Sequence, residues 1–169
     1  MAEPIVYLRG RFVPASEASI NIYDLGIVLG ATLTEMTRTI RHRPFKLEQH
    51  VDRLYRSCKY ASIELPLDQQ QMLDKTLELI DANCGLIDDD ADLGVIHFVT
   101  PGENPIYAGS AVSAGPMTPT VCIHSFPLPF QAWRPLFVEG GHVVTPAIRH
   151  VPPECVDPKT KNRSRLHFH

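Results

Sequence analysis

The sequence predicts an α+β fold, a sheet covered by two helices, and three observations predict it. Short runs of alternating, β-branched residues stand on both sides of two long amphipathic stretches. Those stretches, over 46–62 and 68–82, repeat their apolar residues at the helical period. After them the composition changes: eleven of the fifteen prolines lie from Pro101 onward, so little regular helix is expected there.

At the N-terminus, Ile5-Val6-Tyr7-Leu8 and Arg11-Phe12-Val13 read as a hairpin with Gly10 in its turn. Ile20-Asn21-Ile22-Tyr23 reads as a second extended piece, ending at Asp24-Leu25-Gly26. Gly26 and Gly30 flank three aliphatic residues, a spacing expected where a backbone loop packs closely against a neighbour. Residues 32–40 (TLTEMTRTI) alternate and are β-branched, which predicts a strand, and 41–44 form the turn after it.

The first helix places Leu47, Val51, Leu54, Tyr55 and Cys58 on one face. The second opens on Asp68 with Gln71 three residues on, a capping-box pattern, and carries Met72, Leu73, Leu77 and Ile80 as its apolar stripe. Asn83-Cys84-Gly85 supplies its stop. Asp88-Asp89-Asp90 reads as a solvated loop, because consecutive aspartates lack the alternate spacing that wraps a cation. Residues 95–100 and 120–124 are further strands, separated by a glycine- and proline-rich loop. The prolines at 127, 129 and 135 mark a linker, so a small α+β domain over 1–125 is expected, with the linker at 126–135. A hairpin-like unit then begins a second domain at 136–169.

Composition narrows the function classes. With 44% apolar and 21% charged residues and a net charge of −3, the chain has a soluble domain's composition and no overall drive toward nucleic acid. No apolar run approaches the length of about 20 residues that a membrane helix needs. The N-terminus has no signal-peptide pattern, and the four scattered cysteines suit free thiols in a cytoplasmic setting better than a disulfide framework. The last thirteen residues, 157–169, stay open on composition alone. They read as a solvated basic tail, as a nucleic-acid contact, or as the setting of a reactive amine at Lys161.

The order of the motifs carries more than any one of them. Asp24-x-Gly26-x-x-x-Gly30 is followed by Thr34-Glu35-x-x-Arg38, then by Arg43-Pro44-Phe45-x-Leu47-x-x-His50-x-x-Arg53-Leu54-x-x-Ser57. Lys161-Asn162-Arg163-Ser164-Arg165-Leu166 closes the series. This set resembles the class IV aminotransferases, the fold type IV enzymes that use pyridoxal 5′-phosphate (PLP). The family includes branched-chain and D-amino-acid aminotransferases and aminodeoxychorismate lyases, and the likeness runs from Tyr7 to Leu166.

The resemblance implies the N-terminal sheet-plus-helices domain of that fold, followed by the start of a truncated α/β domain. It implies PLP as cofactor, amino acids and 2-oxo acids as substrates, and a homodimer. Arg53 matches the family's phosphate-binding arginine, a reading its residue type suits because a guanidinium forks onto phosphate oxygens. By itself, Arg53 reads as a solvated charge on the polar side of a helix. Lys161 matches the Schiff-base lysine; Lys159 fits the register worse, since Ser164 would then stand where the leucine belongs. Arg149 matches an arginine that in parts of the family sits behind the cofactor ring. Glu35 and Arg38 match the strand beside the pocket, where a structural ion pair is the competing reading.

Some positions depart from the family. D-amino-acid members carry a tyrosine where Thr34 stands, and an arginine and a histidine in the loop after 95–100. The loop Pro101-Gly-Glu-Asn-Pro-Ile-Tyr-Ala108 has neither, which points away from a D-amino-acid substrate. Nothing in the chain selects a branched-chain one. The family's ring-nitrogen carboxylate and second phosphate-binding segment are expected past His169, so these 169 residues alone are expected to be inactive, and the segment 150–169 to lack its packing partners. The competing readings are a PLP lyase and a non-catalytic remnant serving folding or dimerisation.

Overall fold

The computed structural model describes residues 3–107, 109, 117–147, 149 and 151–163. The Ser164-Arg165-Leu166 end of the lysine segment and part of the loop after residue 107 lie outside them. The hairpin forms as expected, with β1 (Ile5–Leu8) antiparallel to β2 (Arg11–Pro14). Its two turn residues, Arg9 and Gly10, both take positive φ, at 50° and 89°. That is the turn whose twist matches a right-handed hairpin, and glycine meets it without strain.

The expected extended piece at 20–23 is not a strand. The Asn21 side chain accepts the Tyr23 amide at 3.0 Å and turns the chain, and Asp24 then caps a single helical turn, α1 (Leu25–Val28). Gly26 lies inside that turn. A β-carbon there would come within 2.5 Å of Thr100 Cγ2, so the close packing inferred from the glycine spacing is real, although the element is helical.

The remaining elements are β3 (Leu33–Ile40), β4 (Arg43–Pro44), α2 (Leu47–Tyr60), α3 (Gln69–Cys84), β5 (Leu93–Thr100), β6 (Thr120–Pro127) and α4 (Phe130–Val138). The strands make one six-stranded antiparallel sheet in the order β2-β1-β6-β5-β3-β4. Both long helices lie against one face of it. The main core joins Leu47, Val51, Leu54 and Cys58 of α2 and Met72, Leu79 and Ile80 of α3 to Leu33, Val95, Val99, Val121 and Ile123 of the sheet. Each of these aliphatic side chains contributes about 1.5–3 kcal/mol by leaving water.

The second helix is rotated from the expected stripe. Its capping box is present, with Asp68 accepting the Gln71 amide at 2.8 Å and Gln71 answering the Asp68 amide at 3.0 Å. Its buried face, however, is Met72, Thr76, Leu79, Ile80, Asn83 and Cys84, and Leu77 is 46% exposed. Two polar residues can lie inward because each is answered. Thr76 donates to the Met72 carbonyl at 2.7 Å. Asn83 accepts the Ile5 amide and donates to the Ile5 carbonyl, both at 2.9 Å, tying α3 to the first strand.

The stretch 126–135, expected as a linker, holds the end of β6 and the first turns of α4. The hairpin expected next does not form: Phe137 and Val138 close α4, and 140–146 carries no regular structure. A local cluster favours the helix, because Phe130 packs edge-on to Trp133 at 5.9 Å and lies under the Arg38 guanidinium at 4.9 Å.

The rotated stripe makes two leucines of similar sequence context behave differently. Leu54→Ala should lower stability by about 2–5 kcal/mol, and Leu77→Ala by no more than about 0.5 kcal/mol. Urea unfolding of both variants checks this, and comparable losses would restore the expected stripe.

Candidate active site

Strand β3 turns the residues Leu33, Glu35, Thr37 and Thr39 inward, toward the helices. Three of these four are polar, and each is met. Thr37 donates to the Phe45 carbonyl at 2.6 Å, and Thr39 donates to Asp92 at 2.7 Å. Glu35 has no exposed surface. Its Oε2 accepts Arg53 Nε at 2.5 Å, and its Oε1 accepts Arg53 Nη2 at 2.6 Å, the Met36 amide at 2.8 Å and His50 Nδ1 at 3.0 Å. An ionised carboxylate can only accept, so the His50 Nδ1 carries the proton in that contact. Lys161 Nζ reaches the same Oε1 at 3.4 Å, from 126 residues away in the sequence.

Helix α2 supplies its part through periodicity. His50, Arg53 and Ser57 fall at i, i+3 and i+7, on one face. Ser57 is buried, and its Oγ accepts the Lys161 amide at 3.2 Å. The lysine segment is held by the sheet as well. Thr34 N donates to the Lys161 carbonyl at 3.0 Å, Arg163 N donates to the Thr32 carbonyl at 3.1 Å, and Leu33 bridges Asn162. Arg163 also stacks over the Phe98 ring at 4.9 Å. The expectation that this segment lacks partners therefore fails at 161–163, because the open start of β3 offers it backbone hydrogen bonds.

The charges set the site's electrostatics. Burial alone would push the Glu35 carboxyl up. The hydrogen bonds from Arg53, His50 and the Met36 amide, with the Lys161 charge, outweigh burial and hold it down to about 2. Opposite it on β5 lies His97, which is fully buried and pairs with Glu35 in the sheet register. Burial pushes its imidazole down to about 4, against the Glu35 charge, which raises it; His50 and His124 lower it further. The His97 Nε2 lies 2.9 Å from Thr76 Oγ1, and its Nδ1 is buried without a hydrogen-bond partner among the described residues.

Arg53 and Lys161, both singled out from the sequence, thus meet on one carboxylate, with side chains 44% and 30% exposed. Arg149 does not join them: it is exposed and forms no ion pair or hydrogen bond among the described residues. Arg38 pairs with Asp92 at 3.4 Å rather than with Glu35. Lys159 is exposed, and its amide is taken by Asp157. Sequence reasoning placed Glu35 on the strand beside the pocket but missed that it is the shared partner of Arg53, His50 and Lys161. A glutamate at an inward position of a strand was the available signal, together with the shared helix face of His50, Arg53 and Ser57.

A family model described as amino-transferase class IV matches residues 32–168, most of the chain. The chain belongs to the class IV aminotransferases. Among proteins similar to it is one from Methanocaldococcus jannaschii, provisionally named a branched-chain-amino-acid aminotransferase, at 31% identity over 163 residues. That match covers 95% of this chain and 52% of the relative. The D-alanine aminotransferase of Bacillus licheniformis is 30% identical over 123 residues, covering 73% of this chain and 41% of that protein. The chain therefore spans about half the length, or less, of the curated relatives it matches.

Solved structures agree on the fold of this class IV aminotransferase chain. The T.th. branched-chain amino acid aminotransferase, complexed with N-(5′-phosphopyridoxyl)-L-glutamate, aligns at a TM-score of 0.73 and 20% identity. It covers 96% of this chain, and 51% of that chain is covered in turn. The Thermoproteus uzoniensis branched-chain aminotransferase aligns at 0.61 and 21% identity, over 75% of this chain and 41% of that one.

Two buried groups predict how this chain responds to acid. His97 is neutral in the fold, so below its unfolded value of about 6.5 the unfolded chain binds the extra proton, and stability falls until about pH 4. Glu35 has a depressed value, so its contribution is complete above about 4.3 and is lost as pH falls through about 2. Urea unfolding across pH 7 to 3 should show the first loss, of at most roughly 3 kcal/mol, and His97→Gln should remove it. An unchanged profile in that variant would assign the loss to other groups.

Proposed function

We propose that this chain holds pyridoxal 5′-phosphate between Arg53 and Lys161, and that the protein transfers amino groups between amino acids and 2-oxo acids. One observation carries the reading: a lysine amine and an arginine fork, far apart in sequence, converge on a single buried carboxylate. The donor set fits the cofactor. One carboxylate faces two cationic side chains, so the opening keeps the positive charge that a phosphate needs, and both side chains reach solvent. Lys161 would hold the aldehyde end through its amine, and Arg53 the phosphate.

When bound, PLP supplies an aldehyde for amines and a ring that accepts the electron pair released at the substrate α-carbon. The chain's own residues orient and move protons. Ser57 and the start of β3 hold the Lys161 backbone from both sides, leaving its side chain to move. Lys161 Nζ would be the group that carries the proton to and from the substrate α-carbon. Arg149 would serve the ring side only if the rest of the protein brings it inward.

The same reading takes 1–125 as the small domain, 126–135 as the passage out of it, and 136–169 as the start of the cofactor-binding domain. The exposed Leu136, Phe137, Val138, Val143 and Val144 support this, since so many apolar side chains together call for cover. It also takes the protein as a homodimer. Ile22, Ile27, Leu29 and Ile106 are exposed on the segment around α1 and the loop after β5, which are tied by the Asn104 amide donating to the Tyr23 carbonyl at 3.1 Å. Cys58, Cys84, Cys122 and Cys155 are all free thiols, which supports a cytoplasmic setting. No helix among the described residues is long and apolar enough to cross a membrane.

A lyase reading is favoured by one relative, the aminodeoxychorismate lyase of Bacillus subtilis, 32% identical over 84 residues, 48% of this chain. Both readings use Lys161, and product analysis with each substrate separates them. Incubation with PLP, borohydride reduction and peptide mapping should label Lys161; label on Lys159 would refute the register. Arg53→Lys keeps the charge but loses the fork, so PLP should bind about ten-fold more weakly in an absorbance titration.

A further inference from the structure

We propose that Glu35 is a positioning residue for the phosphate end of the site. It grips the Arg53 guanidinium by one edge and so presents the opposite edge to a phosphate. The inference rests on the reading of Arg53 and Lys161 above and adds the residue that makes Arg53 ready.

A guanidinium carries five N–H donors in one plane. Glu35 takes the edge formed by Nε and Nη2, at 2.5 and 2.6 Å. The two N–H groups of Nη1 and the outer one of Nη2 then face away from the carboxylate. That is a second fork, matched to two phosphate oxygens.

Glu35 can act as a fixed jaw because it cannot swing. It is fully buried, its own strand pairs with β5 at His97, and Oε1 is also held by the Met36 amide and by His50. Arg53, by contrast, has a long side chain that is 44% exposed. Unpinned, it would surrender its rotamer freedom on meeting a phosphate. Pinned, it has surrendered that freedom already, and binding is stronger for it. Lys161 Nζ rests on the same Oε1 at 3.4 Å, so one carboxylate sets the spacing between the amine and the phosphate-binding fork. A purely structural ion pair would need neither a partly exposed guanidinium side chain nor the lysine.

The test compares PLP with pyridoxal, which has the same aldehyde and no phosphate, by absorbance titration of the whole chain. Glu35→Gln keeps the shape but turns one oxygen into a donor that opposes the guanidinium, and Glu35→Asp keeps the charge. The unsubstituted chain should prefer PLP; in Glu35→Gln that preference should fall about ten-fold, and Glu35→Asp should recover part of it. A preference unchanged in Glu35→Gln overturns the inference and leaves Arg53 as the phosphate ligand. An unsubstituted chain with no preference overturns both. Should Glu35→Gln not fold, NMR of the unsubstituted, cofactor-free chain decides. The Arg53 Nε–H, assigned by its loss in Arg53→Lys, should exchange slowly with water, and exchange as fast as in exposed arginines overturns the inference.

Discussion

A carboxylate removed from water persists only where its oxygens are answered, and the structure around the candidate site follows from meeting that condition at Glu35. Two hydrogen bonds from Arg53, one from His50 and one from the Met36 amide meet it, and Lys161 adds a second cationic side chain. Leaving such a group buried and unpaired would cost several kcal/mol. The dependence is asymmetric. Arg53 can rehydrate if Glu35 is removed, because its side chain is partly exposed, whereas Glu35 has no route to water if Arg53 is removed. The condition therefore fixes the register of α2 against β3: a slide of one residue along the helix would carry His50, Arg53 and Ser57 off the carboxylate together.

The same logic recurs at smaller centres, and these hold the loops. Buried Asp24 caps α1, accepts Thr120 Oγ1 at 2.7 Å and faces Arg9, which joins the first hairpin turn to the sixth strand. Asp92 gathers Thr39, the His42 amide and Arg38, closing the turn after β3 on the start of β5. Asn83 stands in for a strand beside Ile5. In each case one polar side chain satisfies backbone or hydroxyl groups that the antiparallel ladder leaves over. An apolar residue of similar size would leave them orphaned.

Beside these satisfied groups, and like the Asn162 side-chain oxygen, His97 is an exception. Its Nε2 has Thr76, but its Nδ1 has no partner among the described residues, and burial keeps the ring neutral. Burial outweighs the Glu35 charge opposite it, which would favour the protonated ring. A neutral ring leaves Glu35 free to pair with Arg53, His50 and Lys161, all on the side that opens toward solvent.

Much of the architecture was legible in the sequence because it rests on local periodicity. The 3.6-residue pattern of 47–58 fixes a helix and its buried face, the Asp68–Gln71 capping box fixes the start of α3, and the β-branched alternation of 32–40 fixes a strand. The motif register also singled out Arg53 and Lys161 as a pair. Local pattern failed where side-chain partners, near or far in the chain, change what a position can tolerate. Thr76 and Asn83 turn inward on α3 because the Met72 carbonyl and the first strand answer them, which no apolar count along the helix reveals. The segment 20–23 curls because the Asn21 side chain outcompetes a strand ladder, and α4 forms where prolines suggested a linker because Phe130 finds Trp133 and Arg38. By itself, then, the sequence determined α2 with its buried face, the start of α3 and the strand at 32–40, and it singled out Arg53 and Lys161. Only the tertiary structure decided that Glu35 stands between them, because a buried carboxylate is stable only through cations and an amide that three separate segments bring to it.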